Sequence, residues 1–187
     1  MWRERMRDRL TVLAEGRTPP PSPPFDRIDE LNDAELANGI GTPLSDAAAR
    51  SDHLLGEVID FYAKVGDQPL PWGRARTTTE AVLGNSYTHP RAHMHAYFRE
   101  NGEIERANRL YEEAVERLRS ISATEVPMGA VLYNLACAHS ADGRDDEALS
   151  LLEETLRLRP DMKKNAAADK DFEALRSNPR FQELIRT

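Results

Sequence analysis

A rhythm of small residues recurs in this chain at an offset of forty-one positions: Gly102, Ala107, Tyr111 and Ala114 return as Gly143, Ala148, Leu152 and Thr155. After each glycine the steps of four and three residues fall on one face of a helix. Small side chains on that face let a second helix approach closely, and a helix of this kind cannot bury its apolar stripe alone. A chain that repeats the pattern is therefore constrained to stack helical hairpins. The pattern predicts one helix after Asn101-Gly102 through Leu118, then SISATEVP as a connecting loop. Met128–His139, a turn at Asp142-Gly143 and Asp145–Leu158 follow as an antiparallel hairpin, and Pro160 stops its second helix.

Upstream, Trp2, Met6, Leu10 and Leu13 form a helical stripe before Gly16, and RTPPPSPP places five prolines in a stiff connector. Phe25, Ile28, Leu31 and Leu36 are the apolar set of a short helix. With Thr42 or Ser45 as cap, LSDAAARSDHLLGEVIDFYAKV reads as a long core helix carrying Leu54, Leu55, Val58, Ile59, Tyr62 and Val65. DQPLPWGRAR is read as a loop that pins Trp72, and residues 77–79 as the cap of a helix running toward Pro90. Pro90 either kinks that helix or sits in the first turn of a new one. Short helices close the chain around Phe172–Leu175 and from Pro179. No stretch alternates with period two, so the expected fold is all-α: an incomplete antiparallel helical bundle over 1–100 followed by helical hairpins over 101–187.

Composition narrows the function classes. The net charge of −7 is spread evenly, with 12 basic and 15 acidic residues in 1–100 and 13 and 17 in 101–187, so no basic face advertises nucleic acid. Arg3, Arg5, Arg7 and Arg9 alternate with Glu4 and Asp8 and read as a solvated helix face. The single cysteine, Cys137, lies in an apolar run and reads as a buried, inert thiol. With neither an apolar run of spanning length nor an apolar leader segment at the start, no membrane partner is expected and a cytoplasmic protein is.

The metal-capable side chains cluster at His89, His93 and His95. His89 and His93 are four residues apart and share a helix face; His95 points away from them. A catalytic zinc site needs about three protein ligands, so a third would come from His53, with His95 or Asp52 as substitutes. Glu80, Glu100 and Asp60 are the nominal bases, and Ser86, Tyr87 and Thr88 form no triad without an orienting carboxylate. The sequence assigns no catalytic residue.

VLYNLACAHSADGRDDEALSLLEETLRLRP resembles a tetratricopeptide repeat, with Leu135, Ala136, Gly143, Ala148 and Pro160 at that motif's spacings and His139, Leu152 and Thr155 as departures. The Gly102–Ala114 rhythm resembles the second helix of a preceding unit, offset by forty-one rather than thirty-four residues, which makes SISATEVP an insertion. DFEALRSNPRFQEL resembles the short unit that closes such arrays. The order MWRERMRDRL, proline link, FDRIDELN, DFYAKV and LGNSYTHPRAHMHAYF is similar to the later part of DinB-like four-helix bundles, in the group that includes the colibactin self-resistance protein. That resemblance implies a metal site on two helices with His89 and His93 as the pair on the last. The family's bundle begins with one more helix and a histidine-bearing turn upstream of the residues matched here by Trp2, so the start of this chain is expected to fall after them, through degeneration of the bundle or a late start codon.

The repeat-like half implies a protein-binding or scaffold module without catalysis, a protein partner and no cofactor. The bundle-like half implies the alternative, a metal- or thiol-dependent hydrolase or transferase acting on a reactive small molecule through zinc, iron or nickel at His89/His93. A homo-oligomer is expected if the missing helix leaves Leu10, Leu54, Val58 and Phe61 as an uncovered apolar stripe.

Overall fold

The computed structural model describes residues 2–186, and of Phe25 the backbone alone, so the Phe25 side chain of the expected apolar set lies outside the described residues. The fold is all-α with one small hairpin of strands. It forms two compact units, Met1–Tyr87 and Thr88–Thr187. The sequence places residues 89–100 with the first half; in the structure they group with the second, because they pack as the partner helix of the segment after Gly102.

In the first unit, α1 (Trp2–Ala14) packs along α3 (Leu44–Val65), with α2 (Ile28–Gly39) between them in sequence. Met6, Leu10 and Val58 are wholly buried together with Leu70, Ala75 and Ala81. The stripe expected to be uncovered is therefore covered: Leu10, Leu54 and Val58 are buried, and Phe61 packs on the same cluster with the Lys64 ammonium 5.0 Å from its ring. The cover comes from a segment read as loop. β1 (Pro69–Trp72) pairs antiparallel with β2 (Ala75–Thr77), turns at Gly73 with φ +58°, and sends Leu70 inward. Leu54 and Val58 do form the buried edge of α3, but Ile59 stays exposed, and Pro43 precedes the helix with no side-chain cap from Thr42 or Ser45.

Thr77 starts α4 (Thr78–Leu83) as a cap, its hydroxyl accepting from Glu80 N at 3.4 Å, while Glu80 reaches back to accept from Arg76 N at 2.7 Å. This reciprocal arrangement satisfies two donors at the helix start. Trp72 is pinned, as expected of its loop, by a T-shaped contact with Trp2 at 6.1 Å and by the Arg9 guanidinium at 4.8 Å. The arginines of α1 are not a solvated face. Arg3 donates to Ser51 O at 2.9 Å, Arg5 pairs with Glu35 at 3.0 Å and Arg7 with Glu57 at 3.1 Å, so they tie α1 to α2 and α3.

The second unit opens with α5 (His89–Glu100), where Pro90 occupies the first turn, and α6 (Ile104–Ser120) folds back on it. α7 (Glu125–Ala141) and α8 (Asp145–Leu158) form the second hairpin. A closing segment follows: a turn at Pro160–Met162, α9 (Lys163–Ala168), a turn over Lys170–Leu175 and α10 (Pro179–Ile185). The half unit expected before residue 118 is thus a whole hairpin. SISATEVP is a loop only over residues 121–124: α6 runs to Ser120 and α7 begins at Glu125 rather than Met128, so the rest of the stretch lies in two 17-residue helices.

Both hairpin turns are built alike. Gly102 has φ +77° and Gly143 φ +72°, and the amide just after each glycine bonds five residues back, Glu103 N to Phe98 O at 2.8 Å and Arg144 N to His139 O at 2.9 Å. Only glycine adopts that left-handed conformation at no steric cost. The end of α6 uses the same bond, Ala123 N to Leu118 O at 2.9 Å, with Ser122 at φ +51° in the glycine's place.

Candidate functional site

The chemistry-bearing residues of the second unit fall in three groups, the first on the outside of α5. His89, His93 and Tyr97 are four residues apart in succession and line one helix face, with Met94 beside them. All four are exposed, Tyr97 at 59 % and Met94 at 46 %. The two imidazoles meet edge to face, their rings 4.5 Å apart and their Nε2 atoms at 3.0 Å. Desolvation against the helix lowers the His89 pKa, and the neighbouring His93 adds to that in smaller measure.

Two ligands of one tetrahedral ion at about 2.0–2.1 Å from the metal stand roughly 3.3 Å apart; the 3.0 Å between these nitrogens is slightly closer and is the distance of a hydrogen bond between one protonated and one unprotonated ring nitrogen. A third ligand does not join it. Among the described residues, no group of three histidine, cysteine or acidic side chains includes His89 and His93. His53 lies in the other unit, exposed on α3 with Nε2 3.9 Å from Glu57. His95 turns inward and stacks on Tyr111 at 4.3 Å, and Asp52 is exposed on α3. Glu80 serves the start of α4, and Asp60 and Glu100 are exposed. Ser86 donates to Asn85 Oδ1 at 3.0 Å.

The second group is a polar seam joining the two hairpins. Asp142, at the α7–α8 turn, accepts from Arg99 Nη2 at 2.8 Å and from Asn108 Nδ2 at 2.6 Å. Burial pushes the Asp142 carboxyl up, but the bonds from Arg99 and Asn108 outweigh it and the net shift is downward. His139 is buried below it, in contact with Arg144 at 3.1 Å and 3.8 Å from Glu112. Desolvation and the Arg144 charge lower its pKa against the opposing pull of Glu112, Glu147 and Asp142. The sequence reading missed this seam. Its partners are 34 and 43 residues apart, and the only local signal is an aspartate directly before the turn glycine.

The third group surrounds α7, which is buried along almost its whole length. Leu135, Ala136 and Ala148 are buried, the two alanines completely and in one cluster with Tyr133, Cys137, Leu152 and Phe172. Pro160 opens the short turn that ends α8. Tyr133 donates to Asp169 Oδ2 at 2.7 Å and Ser140 to Asp171 O at 2.7 Å, so the closing segment is stitched to α7. Cys137 is buried, and burial together with Asp169 and Asp171 raises its thiol pKa well above the usual range. Ligand atoms of Cys137, Asp169 and Asp171 lie within 4.8 Å of one another. Asp169 is already engaged as the cap of the 170–175 turn, accepting from Asp171 N at 3.1 Å.

The tetratricopeptide repeat family model matches residues 90–161, which are α5 to the end of α8 with the first residues beyond it. No curated protein and no solved structure matches the chain. The match begins at α5, as the hairpin does, and takes in the first helix that the sequence reading assigned to the other half. No helix of the described residues is long and apolar enough to cross a membrane.

Proposed function

We propose that the chain is a non-catalytic interaction module in which the paired hairpins α5/α6 and α7/α8 form a rigid block and the outer stripe of α5 docks a protein partner. The observation that carries this reading is the stripe itself. Met94 and Tyr97 are large apolar residues left exposed in mid-helix, beside two exposed imidazoles on the same helix, whereas the other exposed large apolar residues of this unit, Ile104 and Ile121, stand singly at the two ends of α6. Tyrosine and methionine are the residue types that interfaces concentrate at their centres. The tetratricopeptide repeat match over this segment supports the class of function. A photo-crosslinking residue at position 97 is expected to capture a discrete partner in the native host, and one at position 116, on the exposed side of α6, is expected to capture none. Adducts at both positions alike, or at neither, would refute the docking stripe.

A second reading is favoured by one distance. The 3.0 Å approach of the His89 and His93 Nε2 atoms is near that of two ligands of one divalent ion such as zinc, iron or nickel, and the resemblance to DinB-like proteins implies a metal site on two helices with these two as the pair on the last. Two donors are too few for a closed or catalytic zinc set. Elemental analysis separates the readings: one tightly held ion per chain, lost in the His89→Ala, His93→Ala variant, would establish the second, and substoichiometric metal with an intact double variant supports the first.

A further inference from the structure

The first unit contains a pocket of about 810 Å³. Its walls are the proline run 19–24 on one side and Gln68 to Pro71 with Gly73 on the other, and Arg9, Leu13 and Arg17 close the α1 side. This volume falls within the range of small-molecule sites, which pair apolar walls with a few placed polar groups.

The placed group here is Arg9, which is 7 % exposed. Two of its nitrogens donate to the carbonyls of Pro20 and Pro21, and its plane lies over Trp72 at 4.8 Å. Among the described residues no carboxylate stands at ion-pair distance from it. The charged residues lining the pocket are both basic, and Arg17, the other one, is paired with Glu15 and largely exposed. A buried cation held only by neutral carbonyls and a ring is incompletely compensated. Its neighbours make this worse, since burial and the nearby Arg5 both oppose its charge. Each of the two Arg9 nitrogens carries a second N–H beyond the one given to a proline carbonyl, so an entering carboxylate would meet the remaining guanidinium donors at its charged end and proline and leucine at its body.

We propose that this pocket binds a small molecule carrying one carboxylate on an apolar body, with Arg9 as the anion-binding residue. The proposal is independent of the docking stripe, which lies in the other unit.

The probe is 3-phenylpropanoate, with 3-phenylpropanamide as its uncharged twin, titrated calorimetrically into the full chain. The acid is expected to bind with a Kd below about 1 mM and the amide at least about tenfold more weakly. Arg9→Met is expected to abolish the difference between them. Because Arg9 also holds the proline run and its loss could unfold the unit, a second variant, Thr18→Trp, fills the pocket from an exposed lining position and is expected to lose acid binding while melting like the parent. Equal affinity for acid and amide would overturn the proposal. So would absence of acid binding at about 5 mM, or acid binding that survives Thr18→Trp in a folded protein.

Discussion

Replacing Gly129 by alanine sets two known effects against each other. Gly129 lies inside α7, where alanine is the better helix former by about 0.8–1.0 kcal/mol, so propensity alone predicts stabilisation. The space there is taken. A Cβ at Gly129 would stand 2.6 Å from Arg159 Cγ, about 1 Å inside ordinary carbon contact, while the 3.5 Å to Arg159 Cβ is itself an ordinary contact. Arg159 cannot swing aside cheaply, because it is buried and its guanidinium grips Asp161 through two bonds of 2.8 and 2.7 Å. Overpacking of this kind costs about 1–3 kcal/mol. The sum favours destabilisation by about 1 kcal/mol, a fall of roughly 4–8 °C in melting temperature for a unit of this size. Arg159→Ala removes the obstacle, and in that background Gly129→Ala should stabilise by about 0.5–1 kcal/mol. The assay is a double-mutant cycle by chemical denaturation, with an expected coupling of about 1–3 kcal/mol. A Gly129→Ala chain that melts above its parent, or a coupling near zero, would refute the reasoning.

Ala148→Leu should cost about 1–3 kcal/mol in a thermal melt, since Ala148 is fully buried in one cluster with Ala136 and has no room for three more carbons. Tyr133→Phe should cost about 1 kcal/mol by urea titration, because it takes the phenolic donor from Asp169 and loosens the closing segment from α7. The lowered pKa of His139 means that the folded chain takes up that proton later than the unfolded chain does, so this histidine's contribution to stability is complete above about pH 6.5 and shrinks as pH falls below it. Denaturation midpoints measured from pH 7.5 down to 5 should therefore decline, and His139→Gln should flatten the decline.

The turn glycines and the second hairpin were legible in the sequence because their signals are local: a left-handed glycine, one alanine on each of the two facing helices, and a proline where α8 stops. The first hairpin was legible only in its second helix. At the positions where α7 carries Leu135 and Ala136, α5 carries Met94 and His95, and a histidine does not announce close packing. It packs closely all the same, by lying flat on Tyr111. The end of α6 was hidden in the same way, since Ser122 adopts the conformation that elsewhere in the unit is marked by glycine. β1 escaped notice because two prolines in four residues remove half its ladder donors, which an edge strand tolerates and a sequence pattern does not advertise. The ion pairs of α1 could be read as charges but not as contacts, their partners being 30 to 50 residues away. The His89/His93 approach was legible from spacing alone, because four residues along a helix set the two rings on one face.

The burial of α7 makes the one thiol of the chain a reporter of motion. Cys137 is shut in by Tyr133, Phe172 and the capped turn at Asp169, with its proton held tightly, so a thiol reagent gains access only when that lid lifts. If reclosing outruns the chemistry, the labelling rate divided by that of a free thiol gives the population of the lifted state. The same measurement on a chain with a partner bound to α5 would tell whether docking at one side of the hairpins tightens the closure at the other.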